Sequence, residues 1–141
     1  MLHIATSLLL AGASPVAIPE PNAAQAGQTQ IIERTYLKAS SGQREALARF
    51  IVANWFELDR VAKERGLFTS YALSENLDQS ADWDFEVAVG YPNKDGYENT
   101  DVQVRFGEIR KAHKTILIDG KGLRELGQIV RTDRIRPREQ G

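Results

Sequence analysis

The sequence WDFEVAVGY, from Trp83 to Tyr91, alternates strictly between two kinds of side chain. Because successive side chains of a β-strand point to opposite faces, this alternation predicts a strand with one apolar face. The apolar row is expected to pack against helices, and it consists of Trp83, Phe85, Val87, Val89 and Tyr91. The opposite face is small and acidic, with Asp84, Glu86, Ala88 and Gly90.

Further periodic segments flank this strand on both sides. An alternating run from Ile31 to Leu37, a helix-period stripe from Gln43 to Arg65 and an alternating run from Leu67 to Glu75 precede it. A helix from Tyr97 or Asn99 to about His113 and a strand-like run from Gln128 to Arg134 follow it. The order strand, helix, strand, strand, helix, strand is that of ferredoxin-like folds. It predicts an α+β fold in which two helices cover one face of an antiparallel four-stranded sheet.

The segment from Gln43 to Arg65 is the best-defined helix. At 100° per residue, its apolar side chains converge on one stripe, namely Leu47, Phe50, Ile51, Leu58, Val61 and Ala62. Asn54 falls near the middle of the stripe, and Trp55 lies at its edge. A buried amide without partners costs about 1–3 kcal/mol, so Asn54 should be paired, either with a ligand or with backbone at a helix crossing.

Length and composition limit the class of protein. The 141 residues suit one domain with a single core. With 18 basic and 19 acidic residues, the chain has no strong net charge to attract nucleic acid. The absence of cysteine excludes disulfides, thiolate catalysis and cysteine-based metal sites.

The first 26 residues are predicted to be a signal peptide. Ile4 to Ala13 is an apolar run too short to span a bilayer, and Ala24-Gln25-Ala26 is a typical cleavage signature. A cut after Ala17 and an uncleaved apolar leader are the alternatives. We therefore expect a periplasmic or secreted protein without a membrane span, whose domain comprises residues 27–141.

His113 is the histidine that remains after removal of the leader. It could act as a base or as an axial haem ligand. A histidine near the end of a helix can equally serve only as a favourable charge at the negative end of the helix dipole. The sequence favours this second, structural role.

Polar side chains on the strands are the other candidates for chemistry, namely Arg34, Tyr36, Tyr71, Asp84 and Glu86. If the sheet face opposite Phe85 and Val87 is covered, these groups line an enclosed site. If that face is open to water, they are ordinary solvated residues. Gly120-Lys121-Gly122 lacks the frame of a phosphate loop, and the arginines near the C-terminus lack the interleaved aromatic residues of a nucleic-acid surface.

The order of elements, with Trp83-Asp84-Phe85-Glu86-Val87 as a central strand, resembles the dimeric α/β-barrel superfamily. This superfamily includes antibiotic-biosynthesis monooxygenase-like, EthD-like and stress-responsive barrel proteins, and the resemblance spans roughly Gln30 to Arg134. It implies a homodimer in which the face away from the helices packs against a second subunit, with a small cavity in each half. Some members degrade haem with an Asn, a Trp and a His, and this chain has Asn54, Trp83 and His113. Asn54 lies on the predicted first helix rather than on a strand, so no cofactor is assigned.

Two functions remain open at this point. In the first, a homodimer binds a small apolar or aromatic molecule between sheet and helices and carries out acid/base or oxygenase chemistry without a cofactor. Glu86 is then the base, and Arg34 or His113 stabilises charge. The other expected ligand-binding residues are Tyr36, Asn54, Tyr71 and Trp83. In the second, the chain is a non-enzymatic interaction module that presents Val52, Phe56 and the arginine-rich tail to a partner.

The first hypothesis predicts that Glu86→Gln abolishes turnover or ligand binding without unfolding the protein, because the substitution removes the proposed base and keeps its shape. Ligand binding and circular dichroism of the variant would test this. Unchanged binding would refute the role of Glu86.

Overall fold

A computed structural model describes residues 27–139, so the predicted signal peptide lies outside the described residues. The strands are β1 (Ile31–Ala39), β2 (Ser70–Glu75), β3 (Phe85–Tyr91) and β4 (Gly127–Ile135). The helices are α1 (Arg44–Phe50), α2 (Phe56–Glu64), α3 (Thr100–Ala112) and the short α4 (Leu123–Leu126). A π-helical turn, Ile51–Trp55, joins α1 to α2, and a 3-10 turn, Gly96–Glu98, precedes α3. Within residues 27–139, every helix is too short or too polar to cross a membrane.

The four strands form one antiparallel sheet in the order β2-β3-β1-β4. Tyr36 lies opposite Glu86 in β3 and opposite Arg131 in β4, so the two inner strands and one edge strand are held in a defined register. A register shift between Tyr36 and Leu37 marks a bulge in the pairing with β4. This arrangement confirms the predicted α+β, ferredoxin-like class.

The helices cover the face predicted for β3. Phe85, Val87 and Tyr91 are buried on that face, together with Leu37 of β1. α1, the π turn and α2 form one continuous helical segment from Arg44 to Glu64, in agreement with the predicted helix from Gln43 to Arg65. The apolar row of β3 and the stripe of this helix therefore form the core, as alternation and helical periodicity predicted.

Trp83 does not belong to the buried row, which corrects the prediction. It precedes β3, and its ring contacts Tyr36 edge-on at a centroid distance of 5.1 Å on the opposite face of the sheet. Alternation holds only where the chain is paired as a strand, and pairing between β1 and β3 begins at Phe85. Similarly, β2 begins at Ser70 rather than at Leu67, because the amides of Leu67 and Phe68 still donate to the carbonyl of Ala62 at the end of α2.

Asp84 joins three parts of the chain at one end of the sheet. Its buried carboxylate accepts a hydrogen bond from the amide of Ala39 at 2.8 Å and pairs with Arg44 at the start of α1. Lys38 completes the group at 3.3 Å from the same carboxylate. A carboxylate with charged and backbone donors around it holds the helix start, the end of β1 and the start of β3 together.

We predict that Asp84→Ala lowers the free energy of unfolding by about 3 kcal/mol, because it leaves a partly buried amide and a partly buried guanidinium without their acceptor. Urea unfolding would measure the loss. The matched control is Asp82→Ala, which breaks an exposed pair with Arg131 and should cost about 0.5 kcal/mol or less. Equal losses in the two variants would contradict the anchoring role of Asp84.

Candidate functional site

Asn54 lies in the π turn, and the hydrogen bonds of its side chain give it a structural role. The Asn54 side chain donates to the carbonyls of Phe50 and Ile116 at 3.0 and 2.9 Å, and its oxygen accepts from the amide of Ile116 at 2.7 Å. The same oxygen lies 3.0 Å from Nε2 of His113. Because an amide oxygen only accepts, Nε2 of His113 must be the donor. Asn54 thus ties the segment after α3 to the long helix, and its hydrogen-bonding groups are occupied by protein.

A cavity of about 360 Å³ lies between the long helix and the sheet. Thr35 of β1 and Val87, Val89 and Tyr91 of β3 form its floor. Trp55, Leu58 and Asp59 line it from the π turn and α2, and Phe106 and Arg110 line it from α3. Phe68 and Tyr97 complete the wall. Its volume falls in the range of sites that hold small molecules.

Asp59 is the acidic residue among those that line this mostly apolar cavity. The residue is only 6 % exposed, and among residues 27–139 it makes no hydrogen bond or ion pair. Its carboxyl oxygens still reach the cavity, because no fully sealed polar side-chain atom of the described residues lacks a partner. Burial disfavours the ionised form and raises the pKa of Asp59 from 3.8 to about 7. Asp59 can therefore exchange a proton with a ligand at neutral pH.

Tyr91 lies beside Asp59 and brings a second polar group to the floor. Burial raises the pKa of Tyr91 strongly, and the negative charge of Glu33 raises it further. Tyr91 therefore keeps its proton and presents a neutral hydroxyl. Glu33 itself is held by Arg134 at 3.2 Å and by the amide of Tyr97 at 3.3 Å.

The aromatic walls are packed against one another. Phe68 contacts Tyr91 edge-on at 5.0 Å and lies 5.2 Å from Phe106, centroid to centroid. Tyr97 meets Phe106 at 6.1 Å with perpendicular rings. Aromatic pairs of this geometry are favourable, so these walls are expected to hold their shape.

The face of the sheet away from the helices holds a second polar group. Arg34 makes a two-point pair with Asp133 at 2.7 and 3.0 Å. Tyr36 is buried between the ring of Trp83 and the guanidinium of Arg131, which lies 4.4 Å from its ring centroid. Burial raises the pKa of Tyr36, and the nearby carboxylate of Glu86 raises it further.

The residues selected from the sequence fall into three places. Arg34, Tyr36, Trp83 and Glu86 come together on the face away from the helices. Asn54 and His113 meet each other in the helical layer instead. Tyr71 lies on the helix side, edge-on to Phe56 at 4.9 Å. Within one protomer these residues therefore do not form a single site.

Two other expectations change with the structure. Phe56 is half-buried against Tyr71, so the exposed apolar pair expected for an interaction module reduces to Val52, which is 53 % exposed. Asp84 was a candidate polar residue of the strand face. Its carboxylate instead binds Arg44, Lys38 and the amide of Ala39. Both differences from the expectation come from local packing, which cannot be predicted from the periodicity of the sequence.

Sequence reasoning missed Asp59 because charged residues are normally assigned to the outer side of a helix. Its spacing carried the signal: Asp59 lies eight residues after Ile51 and three before Ala62, on the buried stripe. A carboxyl at such a position must be neutralised or paired. Within residues 27–139, no group of three or more His, Cys, Asp or Glu side chains could hold a metal ion.

Comparisons with known proteins identify no family. No family model matches the chain, and no curated protein matches it. Among solved structures it is similar to the crystal structure of PA3566 from Pseudomonas aeruginosa, with 20% identity and a TM-score of 0.47. The similarity covers 79% of this chain and 96% of that chain.

The raised pKa of Asp59 predicts that this group destabilises the protein as the pH rises. The unfolded chain releases the Asp59 proton near pH 4, whereas the folded protein holds it to about pH 7. The contribution of Asp59 to the free energy of unfolding is therefore complete below pH 4. It falls by roughly 4 kcal/mol between pH 4 and 7 for the full pKa shift.

Urea unfolding of the wild type and of Asp59→Asn at pH 5, 6, 7 and 8 would test this. We expect the stability of the variant relative to the wild type to increase from pH 5 to 7 and then to level off. Asp101→Asn, at an exposed position in α3, serves as the control and should follow the wild type. A constant difference between Asp59→Asn and the wild type would contradict the shift.

Proposed function

We propose that this chain is a small-molecule-binding protein whose ligand, an apolar or aromatic compound, occupies the cavity between the long helix and the sheet. The observation that carries the proposal is the buried carboxyl of Asp59, which has no hydrogen-bond or ion-pair partner within the described residues and faces a mostly apolar surface with five aromatic side chains. Natural proteins rarely leave a buried charge uncompensated unless it has a functional use.

The chemistry that this cavity supports is acid/base catalysis without a cofactor. With a pKa of about 7, Asp59 can remove a proton from a bound compound or return one at neutral pH. The hydroxyl of Tyr91 lies beside the Glu33 carboxylate and adds a neutral polar group to the floor of the cavity. An oxygenation in which molecular oxygen, as co-substrate, oxidises a ligand first deprotonated by Asp59 is open to the same cavity.

We further propose that the protein is a homodimer through the sheet face away from the helices. That face has two small residues opposite each other, Ala72 of β2 and Ala88 of β3, which allow a second sheet to approach. It also carries both signs of charge, so two copies related by a two-fold axis can pair acidic with basic groups. Export through the leader remains a proposal from the sequence.

A dimer would enclose the second polar group, and this makes a second candidate site. The raised pKa of Tyr36 beside Glu86 is the observation in its favour. In that site Arg34, Tyr36 and Glu86 would meet the ligand between the two sheets. The Glu86→Gln prediction made from the sequence tests this location directly.

A non-enzymatic role would use a different surface. Val52 lines a groove of about 440 Å³ on the outer side of the long helix, together with Ala48, Ala53 and Ile118. Exposed apolar residues are common on monomeric proteins, so this groove is the weaker candidate. A protein that dimerises but is not stabilised by any small aromatic compound in a thermal-shift screen would favour it.

Two neighbouring residues of β3 allow the cavity and the other sheet face to be tested separately. Val89 lines the cavity, and Ala88 points to the opposite face. We predict that Val89→Phe fills the cavity and weakens binding of indole, a neutral aromatic probe, at least tenfold. Ala88→Phe should keep indole binding and convert the dimer to a monomer, because the larger ring prevents close approach of a second sheet.

Chemical-shift titration with indole and light scattering would measure the two effects, with circular dichroism to show that both variants fold. Indole binding that is unaffected by Val89→Phe would place the ligand elsewhere. If Glu86→Gln abolished that binding while Val89→Phe did not, the second candidate site would be the correct one. A monomeric wild type would exclude the dimer while leaving the cavity in place.

A further inference from the structure

The charge state of the cavity points to the class of ligand. Asp59 faces the cavity without an ion pair or hydrogen bond among residues 27–139. Such a carboxyl is compensated either by a proton or by a cation that enters the cavity. An anionic ligand is disfavoured beside it, since two like charges in an apolar site repel each other.

The walls favour a cation for an independent reason. Five of the residues that line the cavity are aromatic, namely Trp55, Phe68, Tyr91, Tyr97 and Phe106. The faces of aromatic rings carry negative potential and attract ammonium groups, most strongly where water is excluded. Rings that surround a carboxylate form the kind of surface that recognises an alkylated or protonated amine.

The remaining charged groups near the cavity are arranged in a compatible way. Glu33 lies beside Tyr91 on the sheet side, and Arg134 balances its charge at 3.2 Å. Arg110 of α3 is the one basic residue among the lining residues; it is exposed, and its guanidinium lies 5.1 Å from the ring centroid of Phe106. Its weak contact of 3.5 Å with the Tyr97 hydroxyl leaves it able to move toward solvent. Water screens the charge of Arg110 far more than that of Asp59.

We propose that the cavity binds an organic cation, a protonated or quaternary amine on an apolar or aromatic body, with the Asp59 carboxylate as its counter-ion. This inference rests on the proposed function and adds the charge class of the ligand to it. The aromatic walls hold the alkyl groups around the nitrogen, and the apolar floor of Val87 and Val89 accepts the body of the ligand.

Binding of such a cation is coupled to loss of the Asp59 proton. Because burial raises the pKa of Asp59 to about 7, the carboxyl is protonated below that pH and the counter-ion is absent. Tyr91 keeps its proton in this range, and a guanidinium such as that of Arg110 is always charged. Affinity for a permanently charged cation should therefore rise about tenfold per pH unit below pH 7 and level off above it.

Three probes of similar size separate charge from shape. Benzyltrimethylammonium is a permanent cation, neopentylbenzene is its neutral isostere, and phenylacetate is an anion. Their affinities would be measured with the full chain at pH 5 to 8 by thermal shift and by intrinsic tryptophan fluorescence, with Trp83→Phe used to isolate the signal of Trp55. We expect the cation to bind at least tenfold more tightly than the neutral isostere at pH 8, and phenylacetate to bind weakest.

Asp59→Asn keeps the shape of the side chain and removes its charge. We expect it to abolish the preference for benzyltrimethylammonium and its pH dependence, while binding of neopentylbenzene is retained. Asp101→Asn should behave as the wild type. If the wild type bound both probes equally, or if the preference survived in Asp59→Asn, the cation proposal would be overturned and the cavity would stand. Failure of all three probes to bind the wild type would contradict the proposed function as well.

Discussion

The packing of the long helix on the two inner strands is the constraint from which the candidate site follows. Helical periodicity turns one stripe of the segment from Arg44 to Glu64 toward the sheet, and the apolar row of β3 receives it. Asp59 lies on that stripe, so the same contact that forms the core also removes its carboxyl from water. The energetic cost of this burial is the main reason to assign a role to Asp59.

The two ends of this layer are filled differently. Near the start of the helix, Leu37, Leu47, Ile51 and Leu126 are fully buried and leave little space. Toward its end, the layer is built from larger rings, Phe68 and Phe106, around small or polar residues of the sheet. A cavity lies at this end, and Asp59 is among the residues that line it. One end of the core thus supplies stability, and the other supplies the candidate site.

Much of the fold could be predicted from the sequence because it depends on periodicity. The alternation from Phe85 to Tyr91 and the stripe from Leu47 to Ala62 identified the buried faces and the order of elements. Trp83 was misplaced because alternation stops where strand pairing stops. The site was harder to predict. Asp59 lies where the helical periodicity predicts an apolar side chain, and a charged residue is normally assigned to the outer side of a helix. The proposed role of the other sheet face requires a second subunit. No pattern within one chain specifies such a partner.

The protonation of Asp59 is the quantity on which the whole account depends, and carbon-13 NMR can follow it directly. The side-chain carboxyl resonance, assigned by its absence in Asp59→Asn, would be titrated in the protein without ligand. The account predicts a midpoint of about 7, because the carboxyl is buried and has no partner in the part of the chain that the structure describes. A midpoint near 4 would mean that Asp59 is solvated or paired, and the cavity would lose the group that gives it a function.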